Sequence, residues 1–281
     1  MLSCLFWGAS ICVAQVKTDA DLYAQAAKAM LDREFPSPRI EYLLLDARTT
    51  RTIAERWGDL REPMPAGSLL KPFVALAYAE SHADRFPVMR CEGKTDRCWR
   101  QEGHGPLGLE RALAESCNAY FLALAHQVGR PEIERVSVAY GLPAPPVRNA
   151  AAWPTMLMGM TPEWRLTPEQ LAHGYLRLMK DHMGTSQDQP IARIRTGMRI
   201  AAGRTGTASR LGAKDALAKT GTAPCVDGCV ATGDGLVVVM TPADEPRLLL
   251  LVRKRGTTGA MAAEIAGLML KRLQGVHVPA R

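Results

Sequence analysis

The stretch that decides the fold runs from Leu236 to Val252 and reads LVVVM-TPADEPR-LLLLV. Two runs of Val and Leu flank a polar segment with two prolines, a pattern that predicts two neighbouring β-strands joined by a turn. A second pair of strands is predicted near the other end of the chain, where Tyr42–Leu45 and Thr52–Trp57 flank the polar turn 46–50. Strand pairs therefore stand near both chain ends.

Helical patterns fill the chain between these strand pairs. Helices are predicted for Leu69–Glu80, Leu107–Val128, Glu132–Tyr140 and Thr167–Met179, the last with Thr167 as N-cap and Pro168 at the first helical position. Two more are predicted near the chain ends, over Asp19–Phe35 and about Gly259–Leu273. This order predicts an α+β fold, in which both chain ends form one antiparallel sheet flanked by helices and an all-helical subdomain is inserted at about residues 79–190.

The size and composition of the chain permit a large core and give no sign of nucleic-acid binding. Its 281 residues are 47% hydrophobic, enough for one domain with a sizeable insertion. The net charge is +7 and the pI about 9.2, which is compatible with work beside an anionic membrane or cell-wall polymer. Basic residues are spread along the chain without a nucleic-acid motif, so no nucleic acid is expected as a partner.

The N-terminal segment has the character of an export signal. Residues 1–14 are apolar and uncharged, and polar residues follow from Gln15. The basic start of a secretory signal is missing, so a truncated apolar leader is an alternative, and a buried strand or helix is a third. The segment is shorter than the roughly 20 residues that span a bilayer. We expect a periplasmic or other extracytoplasmic location, with residues 15–281 forming one folded domain.

Four of the seven cysteines are candidates for pairing: Cys91, Cys98, Cys225 and Cys229. In an oxidising compartment, Cys91–Cys98 and Cys225–Cys229 disulfides are predicted. The same four residues could instead bind zinc, but their spacings do not match the usual Cys-x-x-Cys pattern. No metal and no cofactor is therefore expected, and Cys117 is expected to stay reduced.

Three short motifs follow one another along the chain and together predict acyl transfer to a serine. They are SLLK at Ser68–Lys71, SCN at Ser116–Asn118 and KTGT at Lys219–Thr222. In the first motif Lys71 stands three residues after Ser68, so on a helix it shares a face with the serine and can act as its base. Lysine can do so only if burial or nearby positive charge lowers its pKa.

The second motif offers groups that handle protons and orient the substrate. Ser116 can pass a proton to the leaving amine, and Asn118 can hydrogen bond both to Lys71 and to the substrate amide. The third motif offers a binding strand for the substrate. In it, Lys219 supplies positive charge that can also lower the pKa of Lys71.

The remaining residues of the third motif are predicted to contact the substrate directly. Thr220 and Thr222 can donate to a carboxylate, and Gly221 lets the substrate backbone lie close to the strand. The N–H groups of Ser68 and Thr222 are the predicted oxyanion hole.

Each motif taken singly also has an ordinary structural interpretation. The first could be a helix N-cap followed by a solvated lysine, the second an interruption within a helix, and the third a turn at the end of a strand. The functional prediction therefore depends on all three motifs occurring in this order.

Longer stretches around the motifs resemble the transpeptidase domains of penicillin-binding proteins, especially those of class B. The resemblance extends from about Tyr42 to the C-terminus and is carried by MPAGSLLKPF (64–73), GHGPL (103–107), ALAESCNAYF (112–121), LTPEQLA (166–172) and GTA (206–208). It implies a D,D-transpeptidase or D,D-carboxypeptidase acting on peptidoglycan stem peptides that end in D-Ala-D-Ala. It also implies an acyl-enzyme on Ser68 and covalent binding of β-lactam antibiotics at that residue.

The chain also departs from the family. Past Thr222 the family usually has an aromatic residue, then Gly-Tyr and a Pro, where this chain has Cys225–Cys229 and Gly233–Leu236. The acceptor, an amine or water, is therefore left open, and a cell-wall protein partner for recruitment is one expectation.

Two alternative functions remain open. One is a serine β-lactamase, and the other is a sensor of β-lactams or wall fragments that is acylated without turnover. A class A β-lactamase needs a Glu-x-x-x-Asn element after the second motif, but Asn149, the only later Asn, has no Glu four residues before it.

Overall fold

The computed structural model describes residues 18–146, 150–180, 190–224 and 233–276. The predicted leader at residues 1–14 lies outside the described residues, as do Cys225 and Cys229. Among the helices within these ranges, none combines the length and the apolar character needed to cross a bilayer.

Both chain ends contribute to one antiparallel sheet, as the sequence predicts. Its five strands lie in the order β2-β1-β9-β8-β7, so β1 from the N-terminal part pairs with β9 from the C-terminal part. The bounds of these strands are β1 Ile40–Asp46, β2 Thr52–Arg56, β7 Leu217–Ala223, β8 Asp234–Thr241 and β9 Leu248–Lys254. Strand β7, which carries the third motif, lies at the end of this order.

The central strands are apolar on both faces because helices cover both sides of the sheet. Leu236, Val238 and Met240 of β8 belong to one buried cluster, and the alternating Val237 and Val239 belong to another. Successive side chains of a strand point to opposite faces, so a strand buried on both faces appears in sequence as a continuous apolar run. This explains the uninterrupted Val and Leu runs between Leu236 and Val252.

Nine helices surround the sheet in the described part of the chain. Their bounds are α1 Asp19–Glu34, α2 Lys71–His82, α3 Leu109–Ala114, α4 Asn118–Ala125, α5 Arg130–Tyr140, α6 Trp153–Leu157, α7 Pro168–Lys180, α8 Pro190–Ala202 and α9 Gly259–Leu273. Helices α1 and α9 pack on one face of the sheet through residues such as Leu31 and Met269. On the other side, α2 is buried along Lys71–Ala79 and forms the centre of the larger core.

The α+β fold is confirmed, with three local differences from the prediction. The helix predicted over Leu107–Val128 is broken into α3 and α4, and α8 was not predicted. The inserted part is also not wholly helical. It contains a two-stranded ladder of β4 Met89–Cys91 and β5 Gly105–Leu107, and a further ladder joins β3 Met64–Pro65 to β6 Arg165–Leu166. Both ladders lie close to the residues of the candidate site.

Candidate active site

Ser68 lies in a short 3₁₀ turn, Gly67–Leu70, that leads directly into α2 at Lys71. Gly67 has a φ of +56°, and a Cβ added there would lie 3.0 Å from backbone atoms of Thr222 and Ala223. A side chain at this position would therefore be strained by conformation and by contact. Glycine allows the serine turn to pack directly on strand β7.

Two further contacts hold the serine turn in place. The Tyr175 hydroxyl, on α7, donates to the Leu69 carbonyl oxygen at 2.8 Å. Gly159, with a φ of +70°, lies so close to Gly67 that an added Cβ would be 2.2 Å from the Gly67 carbonyl oxygen. The position of Ser68 is thus set by elements that are distant in sequence.

The amide nitrogen of Ser68 lies beside strand β7, as the predicted oxyanion hole requires. An added Cβ on Gly221 would be 3.3 Å from the Ser68 nitrogen and 3.2 Å from the Ala66 carbonyl oxygen. Glycine at position 221 therefore keeps open the space between the serine turn and the strand. The next residue along the strand is Thr222, which supplies the second predicted amide of the oxyanion hole.

The second motif forms the connection between α3 and α4. Ser116 has a φ of +50°, an uncommon conformation for a residue with a side chain. Backbone hydrogen bonds hold this connection, from the Ser116 N–H to the Leu113 carbonyl at 3.2 Å and from the Cys117 N–H to the Ala112 carbonyl at 2.9 Å. Asn118 then begins α4. The motif is therefore the loop between two helices that the functional interpretation requires.

Lys71 is fully buried and donates its hydrogen bonds to the second motif. Its Nζ lies 2.7 Å from Asn118 Oδ1, 2.7 Å from the Ser116 carbonyl oxygen and 3.3 Å from Ser116 Oγ. The predicted hydrogen bond between Lys71 and Asn118 is therefore present. Within the described ranges, no group forms a hydrogen bond with the Ser68 hydroxyl, which faces the cavity described below.

Lys219 approaches the same Ser116 hydroxyl. Its Nζ donates to Ser116 Oγ at 2.9 Å and to the Thr220 carbonyl oxygen at 2.6 Å, and its side chain is fully buried. Ser116 Oγ thus lies within hydrogen-bond distance of two lysine ammonium groups. In the described ranges, no carboxylate forms an ion pair with either lysine.

Burial shifts the pKa of both lysines downward. It lowers the pKa of Lys71 to about 7, although the charges of Cys117 and Cys98 act in the opposite direction. Burial and then the charge of Lys71 lower the pKa of Lys219 well below its ordinary value. A lysine that loses its proton near neutral pH can accept a proton from a serine hydroxyl.

The third motif is tied to neighbouring elements through its threonines. Thr220 Oγ1 donates to Thr207 Oγ1 at 2.6 Å, and Thr207 in turn bonds to the Ala114 carbonyl through its N–H at 3.1 Å and its hydroxyl at 3.2 Å. The Gly259 N–H, at the start of α9, donates to Thr222 Oγ1 at 3.2 Å. Strand β7 is thereby fixed relative to α3 and α9.

A single cavity of about 920 Å³ joins the three motifs. Ser68, Ser116, Asn118 and Thr220 to Thr222 line it, so the structure brings most predicted site residues together around one space. Lys71 and Lys219 lie behind this surface. The cavity is large enough for an extended peptide beside the edge strand β7 and the predicted oxyanion-hole residues Ser68 and Thr222.

Several lining residues were not predicted from the sequence. Trp99 is 57% exposed, yet its indole Nε1 donates to the carbonyl oxygens of Glu115 and Ser116, both at 3.2 Å. Met160, Thr207 and Thr258 also line the cavity. Only Thr207 carried a signal in the sequence, as part of the GTA stretch that precedes the third motif.

The predicted Cys91–Cys98 disulfide is not formed. Cys91, Cys98 and Cys117 are buried free thiols, and the Cys91 and Cys98 sulfurs lie 3.5 and 3.4 Å from His104 Nδ1. The Cys98 and Cys117 sulfurs are 3.9 Å apart. The prediction was wrong because Cys98 turns toward His104 and the second motif, which local spacing does not reveal. These four side chains are also a set that could hold a metal ion.

The arrangement as a whole is suited to acyl transfer through Ser68. It combines a serine hydroxyl at the start of a helix, a buried lysine with a lowered pKa, a second serine between two lysines, and a strand edge beside the serine amide. Each group in this set fits a role in forming and breaking an ester.

Residues 46–271 match the family described as penicillin-binding protein transpeptidase domain. Among curated protein sequences, none matches the chain significantly. The fold is similar to that of the transpeptidase domain of penicillin-binding protein 3 from Burkholderia pseudomallei, with a TM-score of 0.69, 16% identity, and coverage of 94% of this chain and 96% of that one.

Two further structures show the same fold. For PBP2 of Pseudomonas aeruginosa the TM-score is 0.70 and the identity 18%, covering 92% of this chain and 74% of that one. For PBP2 of Helicobacter pylori, solved as a complex with MreC, the TM-score is 0.74 and the identity 16%, covering 89% of this chain and 62% of that one.

Proposed function

Because the chain belongs to the family of penicillin-binding protein transpeptidase domains, we propose that it is a D,D-transpeptidase or D,D-carboxypeptidase with Ser68 as nucleophile. Its substrates are peptidoglycan stem peptides ending in D-Ala-D-Ala, and β-lactams acylate the same hydroxyl. The observation that carries this proposal is the buried network in which Lys71 and Lys219 both reach Ser116 Oγ beside the cavity that holds Ser68.

Acylation begins with removal of the proton from Ser68. Lys71, in the uncharged form that its lowered pKa makes available near neutral pH, takes this proton as Ser68 Oγ attacks the carbonyl carbon of the penultimate D-Ala. The negative charge that develops on the carbonyl oxygen is stabilised by the N–H groups of Ser68 and Thr222. The C–N bond then breaks, Ser116 supplies a proton to the departing amine of D-Ala, and an ester remains on Ser68.

The second half of the reaction regenerates the serine. An acceptor amine or a water molecule attacks the ester carbonyl carbon and gives its proton to Ser116 Oγ, which lost one in the first half. The ester C–O bond then breaks, and Ser68 Oγ leaves with the proton returned from Lys71. An amine acceptor gives a crosslinked peptide, whereas water gives the shortened stem peptide. The two lysines keep the proton within one buried network throughout, because Ser116 Oγ contacts both.

Substrate orientation follows from the edge strand. A stem peptide that extends alongside β7 gains backbone hydrogen bonds, and its terminal carboxylate meets Thr220 and Thr222, with the Lys219 side chain buried behind them. A side chain at position 221 would contact the serine turn, so Gly221 lets the strand lie close to Ser68 while both line the cavity. The neighbouring Trp99 adds an apolar surface at the cavity wall.

Time-resolved mass spectrometry of the intact protein tests the proposal. With a penicillin, we expect the mass of one penicilloyl group on the wild-type chain and on the Ser81→Ala control, and none on Ser68→Ala. Ser81 is a matched control because it lies on the same helix as Lys71, at its far end. Labelling of Ser68→Ala, or a penicilloyl group mapped to another residue, would contradict the assignment.

The same experiment separates the two alternative functions. With a D-Ala-D-Ala peptide, a transpeptidase or carboxypeptidase releases D-Ala over many turnovers and keeps a long-lived penicilloyl adduct. A β-lactamase clears the penicilloyl adduct rapidly, and a sensor retains it but releases no D-Ala from the peptide. Release of D-Ala in excess of enzyme is the result that we expect.

Export and a wall-protein partner belong to the same proposal. Stem peptides lie outside the cytoplasm, so the chain must be exported, in agreement with the apolar leader at residues 1–14. The similarity to a PBP2 solved with MreC supports a wall protein as the recruiting partner. A fusion of alkaline phosphatase to the chain should be active in cells, whereas a fusion without residues 1–14 should be inactive; equal activity would exclude the leader.

A further inference from the structure

We propose that Cys91, Cys98, His104 and Cys117 bind one structural zinc ion, which holds the second motif in its active position. The metal site itself is independent of the proposed function, and only its effect on acylation depends on that function. The four residues come from the β4–β5 ladder, its connection and the loop before α4. They meet directly behind Ser116 and Asn118.

The separations between the candidate ligand atoms match a tetrahedral zinc site. All four atoms lie within 4.8 Å of one another. Zinc bonds of about 2.3 Å to sulfur and about 2.0–2.1 Å to nitrogen place the ligands of a tetrahedron about 3.5–3.8 Å apart. The observed separations are 3.4 and 3.5 Å between sulfur and His104 Nδ1, and 3.9 Å between the sulfurs of Cys98 and Cys117. The atoms therefore surround a space of the size of the ion.

The ligand types select zinc and a closed site. Three thiolates and an imidazole favour zinc over magnesium or calcium, which prefer oxygen ligands. Four protein ligands fill the tetrahedron and leave no position for a reacting water, as in structural zinc sites. All four side chains are buried, so the site is protected from solvent.

The groups around the four side chains also fit a metal site. His104 Nε2 is buried, has no hydrogen-bond partner in the described part of the chain, and lies 3.6 Å from Glu115 Oε2. Histidine ligands commonly direct their second nitrogen toward a carboxylate, which orients the ring and makes it a better ligand.

The loop that carries three of the ligands has the tight turns of a metal-binding segment. Gly93 and Gly103 have φ values of +82° and +78°, and Arg97 has +59°. An added Cβ on Gly103 would lie 2.2 Å from the Cys91 carbonyl oxygen, and one on Gly93 would lie 2.0 Å from the carbonyl oxygen of Gln101. The backbone is thus folded closely around the ligands, although only two short strands support it.

The position of Cys117 connects the metal to catalysis. It stands between Ser116 and Asn118, the two residues that accept hydrogen bonds from Lys71. A metal bond at Cys117 fixes the backbone on both sides, including the left-handed conformation of Ser116. Trp99, next to Cys98 in sequence, adds its hydrogen bonds to the Glu115 and Ser116 carbonyls. Zinc therefore positions the second motif without touching the substrate.

The first test measures the metal directly in the full chain. We expect about one zinc per chain by elemental analysis after purification without chelator. Replacement by Co²⁺ should give the intense sulfur-to-cobalt absorption and the visible bands of a tetrahedral thiolate site. Neither readout requires acylation, so their failure is distinguishable from failure of the proposed function. If the wild-type chain binds neither zinc nor cobalt, the proposal is wrong.

Variants identify the ligands. Cys98→Ser and His104→Ala should lower zinc content at least tenfold, whereas the double variant Cys225→Ser/Cys229→Ser should keep it. Loss of zinc in that double variant, with retention in His104→Ala, would assign the ion to a different set of cysteines. A Cys91–Cys98 disulfide in a non-reducing peptide map of the exported protein would also overturn the proposal.

A conservative variant tests the positioning role. Cys91→Ala should lose zinc and label with a fluorescent penicillin at least tenfold more slowly, whereas Cys91→Asp supplies a new ligand and should recover both. If Cys91→Ala is unstable, the penicillin labelling rate of Cys91→Asp is compared with added zinc and with a chelator. Labelling should then be at least tenfold slower with the chelator. Equal labelling rates of the zinc-loaded and zinc-free protein would show that zinc does not position the motif.

Discussion

Lys71 and Lys219 share one hydrogen-bond acceptor, Ser116 Oγ, at 3.3 and 2.9 Å. Two ammonium charges so close together, both buried, repel each other and lose their hydration, so the uncharged form of at least one lysine is favoured. Among the described residues, the structure thus provides a base without a carboxylate beside it. Carbonyl oxygens, a hydroxyl and the Asn118 amide supply the hydrogen bonds that the lysines still need.

Replacing Lys71 by Arg should slow acylation of Ser68 by about 10²–10⁴. Arginine keeps a positive charge but does not lose its proton, so it cannot serve as the base. The measurement is the rate of labelling by a fluorescent penicillin, with the surface variant Lys28→Arg as control. A decrease of less than tenfold would exclude Lys71 as the base.

Acylation should depend on pH with an acidic limb near pH 7. Burial lowers the pKa of Lys71 to about 7, so the protonated form predominates below that pH and the base is lost. The rate constant for penicillin labelling should therefore fall about tenfold per pH unit on the acidic side and level off above the pKa. A rate that is constant from pH 6 to about pH 9 would mean that Lys71 does not titrate in the acylation step.

At the scale of elements, the serine turn depends on contacts with β7, α7 and the segment after α6. The hydroxyl of Tyr175 is buried and satisfies the Leu69 carbonyl oxygen at 2.8 Å. This carbonyl belongs to the 3₁₀ turn, where the bonding pattern changes to that of α2. This hydrogen bond connects the serine turn to α7, so the orientation of Ser68 depends on where α7 lies.

Tyr175→Phe should lower both stability and acylation. Loss of the hydroxyl leaves a buried carbonyl without its partner, which costs about 1–3 kcal/mol in the free energy of unfolding. We also expect penicillin labelling to slow several-fold because the serine turn is less well held. Tyr42→Phe is the control, since it loses a hydroxyl that donates to Asp32 at 2.7 Å far from the turn. If both variants label Ser68 at the wild-type rate, the Tyr175 hydrogen bond has no role in positioning the serine.

The elements also show which features the sequence could reveal. Helix α2 was predicted from its local apolar pattern, and strand β7 was predicted from the third motif that it carries. The break between α3 and α4 could be inferred only through the motif, since nothing in Ser116 itself signals a left-handed backbone. Helix α8 is absent from the predictions, although Ile194, Met198 and Ala201 stand at helical spacing after Pro190, so its signal was available.

At the scale of the whole molecule, the site depends on contacts that no local pattern contains. The three motifs could be assigned in advance because each carries its own chemistry within a few residues. The cluster of Cys98, His104 and Cys117 could not, because it forms only when the β4–β5 connection folds against the start of α4. The simple rule of pairing neighbouring cysteines therefore gave a disulfide where the structure has four converging side chains.

The same long-range contacts predict that the molecule unfolds as one unit. One buried cluster continues from the sheet, through Leu251 of β9, into the inserted helices, through Phe121 of α4 and Trp164. Leu251→Ala removes buried side-chain volume from this cluster and should cost about 2–5 kcal/mol. The loss should appear equally in far-UV circular dichroism, which reports on all elements, and in tryptophan fluorescence, which reports mainly on the insertion.

Leu268→Ala is the matched control for this experiment, because Leu268 on α9 is 52% exposed and its truncation should change stability by no more than about 0.5 kcal/mol. Coincident thermal transitions for both probes in the wild-type chain, shifted together by Leu251→Ala, are the expected result. If the fluorescence transition stayed in place while the circular dichroism transition moved, the insertion would be an independent folding unit. The active site would then lie between two folding units. Only the contact of the serine turn with β7 and the hydrogen bond of Lys71 with Ser116 would then hold the site together.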